Sequence, residues 1–330
     1  MIMSSADLNT WREKFSQLAD PHILQTEEWG YLKSAFGWKA DWIFIQNQPV
    51  QILFRLLPLG FKIAYLPKPR LNLNDPGLIK EFDKICRGQK VIFLKIEPDH
   101  FEDDGSETAI SDKWKVGRAI QPRRTILVDI SGSEDQWLER MKQKTRYNIK
   151  LAVKKGVSVV ESDDLDQFYA MIEETAEREK FGVHTKAYYQ KAYQLFAKKD
   201  QVALLIASYE GIPLAGLMIF RIGKRAWYFY GASNNLERNR MPTYLLQFEA
   251  MRWAKSKGCE IYDLWGIPDE DESTLERDFE SRSDGLWGVY RFKRGFGGMV
   301  QRSSQAYDRV YNPILYELIR FIQKTRGDLL

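Results

Sequence analysis

The sequence is poor in the residues that metal and redox chemistry draw on. Its 330 residues include two cysteines and three histidines. Cys86 and Cys259 stand far apart and offer neither a metal-ligand spacing nor a disulfide framework, which fits a reducing cytoplasm. His22, His100 and His184 are scattered, so zinc sites and histidine-based triads lack their usual donors. No uninterrupted apolar run approaches the roughly 18 residues that a membrane-spanning helix needs. The opening Met-Ile-Met-Ser-Ser-Ala-Asp has neither a basic n-region nor an apolar h-region, so a cytoplasmic location is expected. The net charge is only +4, which permits a polyanionic partner without demanding one. What is present is a globular composition, 44% hydrophobic and 28% charged. The chain is too long for one ordinary core, so two domains are expected.

In the first half, Leu24-Gln-Thr-Glu-Glu-Trp-Gly-Tyr-Leu-Lys33 reads as a helix start with Thr26 as N-cap. Trp29 and Lys33 are one turn apart and share a face. Strands are expected at 42–45, 50–57, 62–66, 91–96 and 125–130, with Asn47-Gln48-Pro49 and Pro58-Leu59-Gly60 as turns. A rigid loop over 67–76 precedes a short helix, and 101–118 reads as loop. Ser133 and Gln136 form a capping box that opens one helix ending at Gly156. Along it Lys142, Arg146, Lys150 and Lys154 recur at steps of four and form one basic ridge.

From Val157 the pattern gives a strand, two helices (164–180 and 186–198) and three strands (202–208, 214–220 and 226–230). A helix from Pro242 to Lys257 and a strand over 261–265 follow. That order is the N-acetyltransferase-like (GNAT) arrangement, and the first half is a weaker echo of it. The expectation is an α/β protein of two tandem GNAT-like domains. Residues 1–132 with a returning segment 305–330 make one, and residues 133–304 the other. The stretch 311–322 is an amphipathic helix. Such a helix most often packs on its own protein, and otherwise lies on a membrane.

A GNAT enzyme cradles coenzyme A pyrophosphate on backbone N–H groups of a glycine-rich loop. Here the corresponding loop, Gly231 to Pro242, has no glycine after Gly231, and Pro242 removes a donor. The loop carries Arg238 and Arg240 instead, then Tyr244 one turn into the helix. Two arginines suit a phosphate, although solvated loop arginines are as common. The richest stretch is Gly285-Leu-Trp-Gly-Val-Tyr-Arg-Phe-Lys-Arg-Gly-Phe-Gly-Gly298, preceded by Tyr262-Asp-Leu-Trp-Gly-Ile267. It sets Lys293 among aromatics and glycines, where a fixed cation would stabilise a developing oxyanion. The plainer reading is a structural lysine paired to an acid.

These stretches resemble the Fem-type (FemABX) aminoacyltransferases, in the compact form without a coiled-coil insertion. The resemblance is strongest from Trp137 to Gly298. It rests on Lys142-Gln-Lys-Thr-Arg-Tyr-Asn-Ile-Lys-Leu-Ala-Val-Lys-Lys-Gly156, on Arg240 to Lys255, and on the Phe292-Lys293 pair. It implies transfer of an amino acid from aminoacyl-tRNA to the stem peptide of a peptidoglycan precursor, without metal or organic cofactor. It implies that Lys33, Trp29, Arg238, Arg240, Tyr244 and Phe292 hold the precursor, and that Lys293 serves the reacting ester. Glu97, before Pro98 at a strand end, would be the base, with Asp99 as its alternative. Lys142, Arg146, Lys150 and Lys154 would contact tRNA. A monomer with peripheral contact to the inner membrane face is expected. The rivals are a GNAT-type enzyme using acyl-coenzyme A and a non-catalytic basic protein that binds RNA or a membrane surface.

Overall fold

A computed structural model of the chain describes residues 5–104, 111–180 and 182–326. The chain divides into two compact units, Met1–Arg123 with Arg302–Leu330, and Arg124–Gln301.

The first unit begins with helices α1 (Ser5–Ser16) and α2 (Glu27–Ser34). The Thr26 hydroxyl accepts from the Trp29 N–H and caps α2, as its sequence implies. Strands β1 (Lys39–Ile45), β2 (Gln48–Leu56) and β3 (Lys62–Pro67) form an antiparallel meander. Helix α3 (Pro76–Gly88) then carries the chain to β4 (Val91–Glu97), which runs parallel to β3. Asp75 caps α3 and Pro76 fills its first position, where no N–H is needed. The buried Leu78, Ile79, Phe82 and Cys86 of α3 pack on one face of the sheet. A short strand β5 (Lys115–Gly117) lies at the far edge. Between β4 and β5 sits β13 (Ala306–Val310), followed by α11 (Pro313–Arg326). Tyr316 and Ile319 of α11 close the other face against Ile63, Ile92 and Phe93.

The second unit starts with β6 (Arg124–Asp129), α4 (Glu134–Arg140) and α5 (Gln143–Lys154). Next come β7 (Ser158–Ser162), α6 (Leu165–Glu179), α7 (Lys186–Ala197), β8 (Val202–Tyr209), β9 (Ile212–Ile222) and β10 (Arg225–Ser233). Helix α8 (Pro242–Ser256) leads to β11 (Ile261–Asp263), parallel to β10. After these come α9 (Glu272–Asp278), α10 (Trp287–Lys293) and β12 (Met299–Arg302). The sheet order is β12-β6-β11-β10-β9-β8-β7. Each unit therefore has a run of antiparallel strands, β1–β3 in the first and β7–β10 in the second, then a helix and a parallel strand, with a strand from a distant part of the chain beside that parallel strand. This is the expected tandem GNAT-like layout. The two helices between β7 and β8 are 15 and 12 residues long.

Four features differ from the sequence reading. The boundary falls before β6, not after residue 132, because β6 pairs with β11 in the second sheet. The helix expected from Ser133 to Gly156 is two helices. Met141 and Lys142 are extended between them, where the Lys142 N–H donates to the Gly295 carbonyl at 2.9 Å. Part of the expected loop 101–118 is β5; residues 105–110 of it lie outside the described residues. The helix after residue 76 has 13 residues and is not short. No helix among the described residues is long and apolar enough to cross a membrane.

Candidate functional site

The second unit organises its chemistry around a break in strand pairing. The register of β10 on β9 shifts between Tyr228 and Tyr230, which is a bulge. The Tyr228 ring folds over Gly231, where a Cβ would come within 1.9 Å of its hydroxyl, so a larger residue there would push the ring aside. Burial pushes the Tyr228 hydroxyl up to about 12, partly offset by a hydrogen bond from Gln247 of α8. The bulged Phe229 packs edge-on against Trp265 at 4.8 Å.

Trp265 follows β11 with a φ of +59°, a conformation that bulky residues avoid unless held. Asp263 supplies the hold. It is fully buried, accepts from the Trp265 N–H at 2.8 Å and from the Thr125 hydroxyl, and pairs with Arg225 at 2.5 Å. The turn thus aims the carbonyls of Trp265 and Gly266 at one atom, Nζ of Lys293, at 3.1 and 2.9 Å. Lys293 ends α10, is 5% exposed, and sits 5.4 Å from the centre of the Tyr228 ring. Desolvation pushes its amine down to about 7, opposed by the charge of Asp263. An ammonium has three donors. Two serve the carbonyls of Trp265 and Gly266, which leaves a third N–H on the charged amine. Lys293 is therefore not paired directly to an acid.

The glycines after Lys293 do not open space around it. A Cβ on Gly297 would meet the Arg140 carbonyl at 2.4 Å, so this glycine lets the turn close onto the α4–α5 junction. Phe292 packs edge-on against Tyr244 and Phe296, at 5.0 and 5.2 Å. Tyr244 and Phe292 are thus together, and Gln247, one turn along α8, joins Tyr228 to Tyr262, accepting from the Tyr262 hydroxyl at 2.6 Å.

Arg240 precedes α8, but its guanidinium is engaged within the protein. It lies 3.3 Å over the Tyr209 ring, donates to the Lys155 carbonyl at 2.7 Å, and pairs with Glu237 at 2.8 Å. The expected two-arginine fork does not form, because Arg238 points to solvent from the same short turn while Arg240 ties the loop to α5. The basic ridge is also incomplete. Lys142 is the residue before α5, and Arg146 turns back to donate to the carbonyls of Met141 and Leu138 at 2.5 and 3.2 Å. Lys150 and Lys154 are exposed on α5, beside exposed Tyr147 and Val153.

In the first unit, Lys33 sits 5.7 Å over the Trp29 ring, as their spacing implies. Burial and the charge of Arg55 push its amine down to about 8. Glu97 does not have the geometry of a free base. It is buried at the end of β4, accepts from the Tyr65 hydroxyl at 2.6 Å, from the Gln121 N–H at 3.3 Å and from the Ile120 N–H. These bonds fix the chain over 120–121 against the end of β4. Its alternative, Asp99, is buried and pairs with Arg70 at 3.2 Å.

Sequence reasoning missed Tyr228, Gln247 and the two carbonyls that hold Lys293. Carbonyls leave no mark in a side-chain pattern. The available signal was Tyr-Asp-Leu-Trp-Gly itself, an acid two residues before a tryptophan that needs its hydrogen bond.

Comparison with known proteins agrees with this architecture. The model of the FemAB family matches residues 99–210 and 205–324. The "Lipid II:glycine glycyltransferase" of Staphylococcus aureus (strain USA300) is 24% identical over 395 aligned residues, covering 91% of this chain and 91% of the relative. A crystal structure of FemX superposes with a TM-score of 0.82 at 20% identity, over 97% of this chain and 99% of that one. The C-terminal domain of a putative lysylphosphatidylglycerol synthetase from Agrobacterium fabrum superposes at 0.57 and 13% identity, over 98% and 99%.

Proposed function

The chain belongs to the FemAB family, and we propose from that premise that it transfers an amino acid from aminoacyl-tRNA to the stem-peptide amine of a peptidoglycan precursor, building an interpeptide bridge. The observation that carries this reading is Lys293, a buried amine held by two carbonyls with one donor left over. The S. aureus relative, named for glycyl transfer to lipid II, supports the acceptor class.

In the reaction the acceptor amine attacks the ester carbonyl. A C–N bond forms, the ester C–O bond breaks, and the proton lost by the amine ends on the released ribose hydroxyl. Charge gathers on the carbonyl oxygen in between. Lys293 as an ammonium donates its remaining N–H to that oxygen from a site with little water, where such a bond is strongest. The amine stays aimed because Asp263 and Arg225 lock the Trp265–Gly266 turn. Neither a covalent enzyme intermediate nor a cofactor enters the scheme. Tyr244 and Phe292 offer an apolar wall beside it, and Lys33 on Trp29 offers a cation for the precursor's phosphates. Exposed Lys150 and Lys154 suit tRNA phosphates, where contacts release counterions.

The test is transfer of radiolabel from mixed aminoacyl-tRNAs to nucleotide-linked and lipid-linked muramyl pentapeptide. The wild-type chain should label a precursor, and Lys293→Met should lose roughly 100-fold or more of that rate. Because the charged amine is the active form, the rate should fall as pH rises through about 7. Label in neither precursor, with coenzyme A thioesters accepted instead, would overturn the reading.

A further inference from the structure

Helix α11 is apolar on both sides. Tyr316 and Ile319 are buried on the sheet, while Ile314, Leu318 and Phe321, spaced at four and three residues, are 82%, 52% and 65% exposed. The turn between β2 and β3 adds to the same region. Leu57 and Phe61 pack on the cluster that holds Tyr316 and Ile319, and between them Leu59 is lifted into solvent at a φ of +61°. Leu59 is 89% exposed. Scattered surface leucines need no explanation, but four large apolar side chains on α11 and the adjoining turn do.

The charges beside these side chains are mostly of one sign. Lys115 and Arg320 lie 5.5 and 5.7 Å from the Tyr316 ring. Arg118 and Arg320 line a cleft between β5 and α11. The acid on the floor of that cleft, Asp308, is neutralised by Lys95 at 2.7 Å and accepts from the Tyr316 hydroxyl at 2.8 Å. Glu317 is the exposed acid on α11, 3.7 Å from Arg320.

We propose that the first unit docks on an anionic phospholipid bilayer through the outer face of α11 and the turn at Leu59. The helix lies flat in the interface, with Ile314, Leu318 and Phe321 in the acyl boundary and Lys115, Arg118 and Arg320 at the lipid phosphates. A second copy of the chain is the weaker occupant. A two-fold contact would bring these cations against their own duplicates. The proposal rests on the aminoacyl-transfer reading only in giving a bilayer its purpose, which is to hold the enzyme beside a lipid-linked acceptor.

The test uses the full chain and vesicles of phosphatidylglycerol mixed with phosphatidylcholine, or of phosphatidylcholine alone, with co-sedimentation as readout. The wild type should bind the mixed vesicles, more weakly as salt rises. The triple variant Ile314→Ser, Leu318→Ser, Phe321→Ser should bind at least about tenfold more weakly. Lys115→Glu with Arg320→Glu should abolish the preference for anionic vesicles. All these positions are exposed, so circular dichroism and transfer to the water-soluble nucleotide-linked precursor should be unchanged. Transfer to lipid-linked acceptor in vesicles should fall for the triple variant. Vesicle binding without transfer to any acceptor would sink the aminoacyl-transfer reading and leave the docking surface standing. The proposal fails if the wild type ignores anionic vesicles, or if the triple variant binds as the wild type does. It also fails if the wild type sediments as a dimer that the triple substitution dissociates.

Discussion

Replacing Lys293 with methionine keeps most of the side-chain volume and removes a titratable group from the interior. In the wild type the native amine titrates at about 7 against an ordinary 10.5. Between those values the native chain holds a neutral amine and the unfolded chain an ammonium. The unfolded state then binds more protons, so stability rises with pH across the window and is lost as pH falls toward the native value. One such group gives a slope of about 1.4 kcal/mol per pH unit, or roughly 3–5 kcal/mol across the window. Methionine removes that slope and leaves the carbonyls of Trp265 and Gly266 without their donor, at a cost of about 1–3 kcal/mol. Near pH 10, where the wild-type amine is neutral and still donates, the methionine variant should therefore be less stable by about 1–3 kcal/mol. Near pH 7 the order should close or invert, leaving the variant ahead by roughly 1–2 kcal/mol. Urea denaturation followed by tryptophan fluorescence at a series of pH values measures both chains. Other groups titrate alike in the two and cancel in the difference. A difference that is flat with pH would refute the reasoning, as would a wild-type chain that loses ground to the variant as pH rises.

Asp263→Ala takes the carboxylate from buried Arg225 and frees the Trp265 turn. It should cost about 3–5 kcal/mol in chemical denaturation and abolish transfer. Lys33 should react with an amine-directed reagent with a midpoint near about 8, earlier than solvated lysines, when peptides are quantified by mass spectrometry across pH. Lys150→Ala with Lys154→Ala should leave the thermal midpoint within about 1–2 °C. It should lower the slope of log affinity for tRNA against log salt by roughly 1.5. An unchanged slope would remove α5 from the RNA surface.

The elements that pack as amphipathic units were legible. The caps at Thr26 and Ser133, the apolar runs of β4 and β8, and the proline at the head of α8 each state their structure locally. What was hidden depends on distant partners. β5, β12 and β13 read Lys-Val-Gly, Met-Val-Gln-Arg and Ala-Tyr-Asp-Arg-Val, which are too short or too polar to show as strands alone. The break at Met141–Lys142 has no proline or glycine. It exists because Gly295 accepts the Lys142 N–H and Arg146 caps the carbonyls behind it. At the site, Lys293 was found through resemblance, but the means of holding it was not. The engagement of Arg240 depends on Tyr209, thirty-one positions earlier, and no local pattern announces that stack. The bonds from Tyr65 and residues 120–121 to Glu97 were hidden for the same reason.

The place of β13 has a consequence for how the protein is made. The first unit begins the chain, yet the strand between β4 and β5 starts at Ala306. At about 5–20 residues per second, the 189 residues from Gly117 to Ala306 take roughly 10–40 s to synthesise. During that interval β4 presents an open edge of unpaired N–H and C=O groups. The second unit, whose strands are all translated by Arg302, is complete before the first can close. The half encoded first is thus finished last, and the nascent chain depends through most of its synthesis on whatever shields that edge from other strands.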